Sequence, residues 1–458
     1  MKLKTRLRGV TYEFRDLVDV LAKAGEEKAG DVLAGIAATS SAERVAAKRV
    51  LAEVTLGEIR ANPAIPPEID EVSRVQEEQI NEQIFGEIKN WTVGYFREWI
   101  LSHETSGDMI RRISRALTGE MASAVAKLMS NMDLVYAASK IHVTTHCETT
   151  LGLPGTLSYR IQANHPSDSI EGITASVLEG LSYTSGDACI GINPNDDSVE
   201  NTIRIMNAIQ DIKHRYGVPT QTVVLSHITT QMKAIEQGAV ADMFFQSIAG
   251  TQKCNEEFGI SAALLDEALD MIRKQGGSPG PNLMYFETGQ GSELSLGAHH
   301  GVDMQTLEAR TYAFGRRYSP FMVNNVTGFI GPETHFDGKQ IIRGSLEDHF
   351  MGKLLGLPMG MAPCYTNHVR TDQNDQENAI MLLALAGATY YMGVPQNDDC
   401  MLAYQDTSYH DDVTLRELLN RRPTPEFERW CKKMGLLDEN GRLTARAGDP
   451  TIFLCAGK

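Results

Sequence analysis

Through the first third of the chain, apolar residues recur at three- and four-residue steps, the spacing of amphipathic helices. Phe14-Arg-Asp-Leu-Val-Asp-Val-Leu-Ala-Lys-Ala24 follows it. So does Ser41-Ala-Glu-Arg-Val-Ala-Ala-Lys-Arg-Val-Leu-Ala-Glu-Val54, with Ser41 placed as an N-cap. Asn62-Pro63 and Pro66-Pro67 interrupt the pattern. It returns over Val75–Leu101 and again over Gly107–Lys140. Residues 1–150 are therefore expected to form a mainly helical region.

From Leu153 onward the texture changes to short apolar runs alternating with amphipathic segments. Eight runs stand out: Leu153–Gln162, Ala188–Pro194, Gln221–Ile228, Met243–Gly250, Asn282–Gly289, Phe321–Ile330, Leu357–Tyr365 and Ala388–Pro395. Helical segments fall between them, among them Ile170–Leu181, Asp197–Tyr216, Ser261–Lys274, Met304–Arg317, Lys339–Leu355 and Asp375–Ala386. Nearly continuous apolar strands are those of a parallel sheet covered on both faces, and eight strand–helix alternations suit a closed (β/α)8 TIM barrel over residues 151–425. The rival, an open doubly wound sheet, usually opens with a phosphate-binding glycine loop. The first run ends in Tyr159-Arg-Ile-Gln162 with no GxGxxG after it. A charged helical tail, with segments at Thr414–Leu419 and Pro425–Met434, is expected to wrap the outside, residues 426–458 forming the C-terminal tail.

Composition narrows the function. The 458 residues carry 43 basic and 59 acidic side chains, a formal net charge of −16. That balance argues against nonspecific nucleic-acid binding and against an anionic membrane surface. The basic N-terminus lacks the apolar run of a signal peptide. The most apolar stretch, Ala379–Val394, falls short of a spanning helix. The seven cysteines have no CxxC pair and an odd count, which suits reduced thiols. No zinc-ligand spacing appears, and no metal site is expected.

In a parallel barrel the chemistry sits at the C-terminal strand ends. Those ends are polar: Arg160 and Gln162 on run one, Asn193-Pro194 on run two, His227 on run three, Gln246 on run four, Glu287 on run five, Asn324 and Asn325 on run six. Any one of these could simply meet water. A buried Arg and a buried Glu together are costly unless paired or bound to something charged. Strand alternation puts Arg160 and Gln162 on one face. Glu287 would accept from an ammonium, Arg160 would donate to a hydroxyl, and Gln162 and Asn193 would fix the orientation. No strand end carries a Schiff-base lysine, an HxH metal pair or a GxSxG elbow, and no Walker motif occurs. The glycines of Gly289-Gln-Gly291 are a weak fingerprint. A polar clamp without reactive side chains points to chemistry supplied by a cofactor.

These residues and several long motifs resemble the heavy chain of the ethanolamine ammonia-lyase family. The motifs include Gly30-Asp-Val-Leu-Ala-Gly35, Leu153-Pro-Gly-Thr156, Phe245-Gln-Ser-Ile-Ala-Gly250, Tyr285-Phe-Glu-Thr-Gly-Gln-Gly-Ser292, Leu346-Glu-Asp-His-Phe-Met-Gly-Lys353 and Cys364-Tyr-Thr-Asn-His368. The resemblance covers essentially the whole chain. It implies a barrel holding a small amino alcohol, adenosylcobalamin as cofactor, a separate light chain, and a hetero-oligomer built on heavy-chain dimers or hexamers. It implies radical chemistry that converts the amino alcohol to an aldehyde and ammonia. Carried over by position, Arg160, Gln162, Asn193 and Glu287 contact substrate, with Arg160 and Glu287 the catalytic pair. Pro194, Gln246, Ser295 and Met401 contact cobalamin, and Phe258 lies near the adenosyl group. The expected location is the cytoplasm, free or inside a bacterial microcompartment.

The chain departs from the family at the seventh strand. Where relatives carry an Asp that helps hold the substrate's amino group, this chain has Ala362, followed by Pro363. Losing one charge-assisted hydrogen bond costs ~1.5–3 kcal/mol, or about ten- to hundredfold in affinity. Thr327 and Thr334-His335 also differ from most relatives. Three readings follow: ethanolamine is still used with another group replacing the carboxylate; a bulkier or N-substituted amino alcohol is used; or the barrel binds cobalamin without catalysis.

Overall fold

The computed structural model describes residues 1–455. The chain opens not with helix but with an antiparallel hairpin, Lys4–Leu7 against Val10–Glu13. Its turn is made by Arg8 and Gly9, at φ 48° and 85°. The helix Leu17–Ala24 follows, capped by the Asp16 carboxylate. The next helix, Ser41–Glu53, is capped by Ser40 rather than by Ser41. Ser40 has extended backbone, and its hydroxyl accepts from the Glu43 N–H at 3.2 Å, while Ser41 has already entered the helix.

The two longer stretches of helical periodicity each divide into separate helices: Glu71–Glu78, Glu82–Ile88 and Val93–Leu101, then Gly107–Ser114, Gly119–Lys127 and Asn131–Ser139. The reason is local. Asp70, Asn81, Thr92, Ser106, Thr118 and Ser130 each turn a side-chain oxygen onto the N–H three residues on. Each therefore starts a new helix.

The barrel strands are Ser158–Ile161, Cys189–Ile192, Thr222–Val224, Phe244–Ser247, Met284–Thr288, Met322–Asn325, Met359–Met361 and Tyr390–Gly393. Each lies inside its apolar run. All their ladders are parallel, in the order third, second, first, eighth, seventh, sixth, fifth, fourth. Strands three and four meet without a ladder. The Gln231 side chain closes that seam, donating to Ser226 O at 2.6 Å and Phe245 O at 2.8 Å and accepting from Phe245 N at 3.1 Å. Large side chains fill the interior where small ones make room. A Cβ at Gly360 would lie 2.0 Å from the Tyr390 ring.

One end of the barrel is shut by the hairpin Thr145–His146 and Thr150–Leu151. Thr145 Oγ1 donates to Phe321 O, and Thr149 Oγ1 to Asp187 O, each at 2.7 Å. Both acceptors precede a strand, so the closed end is the N-terminal one and the mouth lies opposite. Beyond strand eight the chain adds two short strands, Asp398–Asp399 and Tyr404–Gln405, which join Tyr365–Thr366 in a small antiparallel sheet. Helix Tyr409–Leu419 follows, then Pro425–Met434, docked by Trp430 Nε1 on Tyr216 O at 2.9 Å.

Buried ion pairs join the N-terminal helices to the barrel helices Met304–Gly315 and Gly338–Leu354. Arg310 meets Asp70 at 2.7 Å and also Glu120, Lys127 meets Asp303 at 2.5 Å, and Lys28 meets Glu347 at 2.7 Å. Thr334 and His335 belong to this seam, with Thr334 O accepting from Gly30 N at 3.1 Å. Among the described residues, no helix is long and apolar enough to cross a membrane.

Candidate active site

Arg160 is fully buried on the first strand. Its Nη1 donates to the Tyr285 hydroxyl at 2.6 Å, and its Nη2 donates to Asn193 Oδ1 at 2.8 Å and Gly191 O at 3.2 Å. Its Nε has no hydrogen-bond partner among the described residues. Burial alone would lower its pKa, but Tyr285, Cys189 and Glu287 outweigh that and raise it, so the guanidinium stays charged.

Glu287, on the fifth strand, accepts from Asn324 Nδ2 at 3.0 Å. Burial pushes its carboxyl above the ordinary range, and Arg160 and Asn324 offset this in part. The Asn324 side-chain carbonyl oxygen is itself buried without a partner among the described residues. Two residues beyond Arg160, Gln162 donates to Asp399 Oδ2 at 2.7 Å and to the Tyr404 hydroxyl at 2.5 Å. Asn164 donates to the same Asp399 oxygen at 2.7 Å, and its own carbonyl receives the Asn193 N–H at 2.8 Å. The four clamp residues are thus set by a shared frame: Tyr285 and Asn193 orient Arg160, Asp399 and Tyr404 orient Gln162, and Asn324 orients Glu287.

A cavity of about 420 Å³ opens at this mouth. Glu287, Gln246, Phe258 and Ser295 line it, along with apolar side chains such as Ile248 and Phe329. Gln246 is held by its neighbours, accepting from Ile228 N at 3.0 Å. Pro194 follows Asn193 at the end of the second strand and is half-buried. Met401 lies in the turn between the two short strands after strand eight, with its N–H on Asp399 Oδ1 at 3.1 Å. Ala362 is fully buried and packs with Cys364, Met392 and Tyr404, and its N–H donates to Asn325 O at 2.8 Å. It does not line the cavity, so its small size does not widen it. Thr327, another departure, hydrogen-bonds the Asn325 side chain.

Sequence reasoning missed the frame residues Asp399 and Tyr404. Both come after the last apolar run, and nothing in strand periodicity brings them back to the first strand. The doublet Asp398-Asp399 was the available signal: carboxylates just beyond a strand end. Among the described residues, no group of His, Cys, Asp and Glu side chains is arranged to hold a metal ion.

Comparison with known proteins finds relatives along nearly the whole chain. A family profile described as "Ethanolamine ammonia lyase large subunit (EutB)" matches residues 12–446. The chain is 52% identical over 453 residues to the ethanolamine ammonia-lyase large subunit of Escherichia coli (strain K12), covering 99% of this chain and all of that protein. The large subunit from Salmonella typhimurium (strain LT2) is likewise 52% identical over 453 residues, with the same coverage.

Proposed function

Because the chain belongs to the ethanolamine ammonia-lyase large-subunit family, we propose that it is the large subunit of an adenosylcobalamin-dependent ammonia-lyase. Its substrate is a small vicinal amino alcohol, ethanolamine or a close relative, and its products are an aldehyde and ammonia. One observation carries the reading. Among the described residues, a carboxylate with one amide partner lines the cavity at the barrel mouth, and a charged guanidinium whose Nε has no partner acts on it from the first strand.

Each residue then has a defined task. Glu287 receives the substrate ammonium, a closer counter-charge than Arg160, which acts on it without a hydrogen bond. Arg160 holds a fixed positive charge against the hydroxyl oxygen and cannot swing away, because Tyr285 and Asn193 hold both of its terminal nitrogens. Asn193 and Gln162 restrict the substrate to one orientation, and the free Asn324 carbonyl accepts a further N–H. Orientation in a water-poor pocket is the protein's share of the catalysis.

The cavity exceeds what a two-carbon amino alcohol fills. Its wall mixes apolar faces with an amide and hydroxyls, which suits a corrin with methyl and amide arms. Gln246 and Ser295 on this wall would hold that cofactor, with Phe258 towards the adenosyl side; Pro194 and Met401 would meet it from outside the cavity lining. When bound, adenosylcobalamin would supply the radical chemistry for which these side chains have no groups of their own. Phe329 and Leu296 stand 41% and 43% exposed at the mouth. Such apolar exposure fits a covering partner, here a small subunit.

The test is ammonia and aldehyde release from ethanolamine and a panel of vicinal amino alcohols, with the cognate small subunit and adenosylcobalamin. Cofactor-dependent release from ethanolamine or a near relative is expected. Release from none of them, despite measured cofactor binding, would overturn the reading.

A further inference from the structure

Beside the clamp, outside the cavity lining, lies a buried carboxylate for which the clamp described so far has no use. Asp406 is fully buried. One of its oxygens accepts from the Thr407 N–H at 2.8 Å, and the other, Oδ2, has no partner among the described residues. Leaving a buried carboxylate oxygen unpaired is costly, and such groups call for an explanation. Its backbone is pinned: the Asp406 N–H donates to Asn397 O, and Asn397 Nδ2 donates to Asp406 O, both at 3.1 Å. This continues the antiparallel pairing of Gln405 with Asp398.

The pleat then sends the Asp406 and Tyr404 side chains to the same face. Tyr404 is the residue whose hydroxyl meets Gln162 and whose ring packs on Ala362, Cys364 and Met392. Phe329, from the cavity wall, meets that ring edge-on at 5.6 Å. Asp406 therefore belongs to the clamp's own neighbourhood, on the side where Ala362 stands. The charges agree with this placement. Burial pushes the Asp406 carboxyl well above the ordinary range, with Arg160 and Glu287 among the groups that act on it. Asp406 is also the strongest charge acting on the thiol of Cys364, two residues beyond Ala362.

Ala362 leaves the seventh strand without a carboxylate, and Asp406 supplies one from the segment after the eighth. We propose that Asp406 is the second carboxylate of the substrate clamp, its free oxygen taking the ammonium of the amino alcohol jointly with Glu287. The inference rests on the amino-alcohol reading given above and adds the residue that sets amine affinity. It makes ethanolamine a competent substrate despite Ala362, since the amino group keeps two anionic partners. It also limits N-substitution, because each added alkyl group removes an N–H that the carboxylates would use.

The experiment uses the assembled enzyme with small subunit and cofactor. It compares wild type with Asp406→Asn and with Asp406→Asn/Ala362→Asp. The readouts are KM and kcat for the best amino alcohol, and the inhibition constant of ethylene glycol, a neutral molecule of similar size. Asp406→Asn should raise KM about ten- to hundredfold, the loss of one charge-assisted hydrogen bond. It should leave diol inhibition within about twofold, because a diol carries no charge to lose. Restoring a carboxylate with Ala362→Asp in that background should recover about tenfold of the loss or more. An unchanged KM, or equal weakening of amine and diol, would overturn the inference. If Asp406→Asn does not fold, Asp406→Asn/Ala362→Asp is compared with Asp406→Asn/Ala362→Asn, and equal amine affinity in the two overturns it. Wild type inert towards every amino alcohol defeats the function proposed above; an active wild type with an indifferent Asp406 defeats this inference alone.

Discussion

At the seam between the N-terminal helices and the barrel, three buried cations each have a carboxylate against them. Arg310 lies between Asp70 and Glu120, Lys127 meets Asp303, and Lys28 meets Glu347. At the barrel mouth Arg160 is just as buried, yet its hydrogen bonds go to a phenol, an amide, a carbonyl and a thioether. Nearby, Glu287 has one amide partner and Asp406 one backbone N–H. The matched Glu347 and the mouth carboxylates also differ in titration. Burial would raise the carboxyl of Glu347, but Lys28 and Arg343 hold it down to about 2. The carboxyls of Glu287 and Asp406 lie above their ordinary range, because burial wins there. Charge that holds the fold together is matched inside the protein. The partly unmatched charge at the mouth is the kind that functional sites carry.

The sharpest way to break this comparison is at Arg310. Arg310→Met keeps much of the volume and leaves Asp70 and Glu120 buried without their cation. The expected cost is about 3–5 kcal/mol, read as a large fall in unfolding temperature. A loss below about 1 kcal/mol, the level of an exposed pair, would mean that the seam is not held by matched charge.

At the mouth the expectation reverses. Glu287→Gln keeps the acceptor for Asn324 and removes the charge awaiting an ammonium. We expect kcat/KM to fall about 10²–10³-fold, on the order of 2.7–4 kcal/mol, the scale of removing one preorganised electrostatic contact. Stability should stay level or rise, since a poorly matched buried charge is gone. A variant that loses stability as Arg310→Met does would put Glu287 in the structural class.

Glu347 at the seam and the two mouth carboxylates should also answer pH in opposite directions. Glu347 has its folded pKa below the unfolded value of 4.5, so its contribution is present above 4.5 and lost as pH falls towards about 2. Glu287 and Asp406 have raised folded values. The folded chain keeps protons that the unfolded chain releases, so their contribution declines as pH climbs through and above the ordinary carboxyl range. Urea unfolding across pH, with Glu347→Gln and Glu287→Gln beside wild type, separates the two. Glu347→Gln should flatten the acid limb and Glu287→Gln the limb above it. If neither variant changes the pH profile, the contrast between the regions does not extend to their protons.

How much of this was legible in the sequence follows from the same physics. Parallel strands buried on both faces read as apolar runs, and each of the eight barrel strands lies within its run. The opening hairpin has polar residues on both faces, so Lys4–Leu7 and Val10–Glu13 show no apolar period. Helix breaks such as Asn81 and Thr118 were hidden because periodicity continues across a cap. In the site, Arg160 lies on the first strand and Gln162 directly follows it, and alternation alone puts them on one face. Asp399, Tyr404 and Asp406 reach the mouth only because the segment after strand eight folds back through two short strands. That return is set by tertiary packing, and local pattern does not encode it.

The smallest of the expected effects asks whether the position of Arg160, and not merely its charge, is what the mouth maintains. Gly191 sits on the neighbouring strand, and its missing side chain lets the guanidinium lie across it. A Cβ there would come within 2.6 Å of Arg160 Nε and 3.3 Å of Val223 Cγ1. A flexible arginine could step aside at little cost. Arg160 cannot, because Tyr285 and Asn193 hold its two terminal nitrogens at 2.6 and 2.8 Å. Gly191→Ala must therefore move the group as a unit or strain the strand, and overpacking of this kind costs about 1–3 kcal/mol. A displacement of a few tenths of an ångström, set against the roughly 10²-fold penalty of a full ångström, suggests a drop of about tenfold in kcat/KM. Unfolding temperature and kcat/KM measured together decide the matter. A fall in both places the constraint on the geometry of Arg160. A fall in stability with kcat/KM unchanged would show that the mouth needs the positive charge but tolerates its displacement, and the contrast with the seam would then lie in charge matching alone.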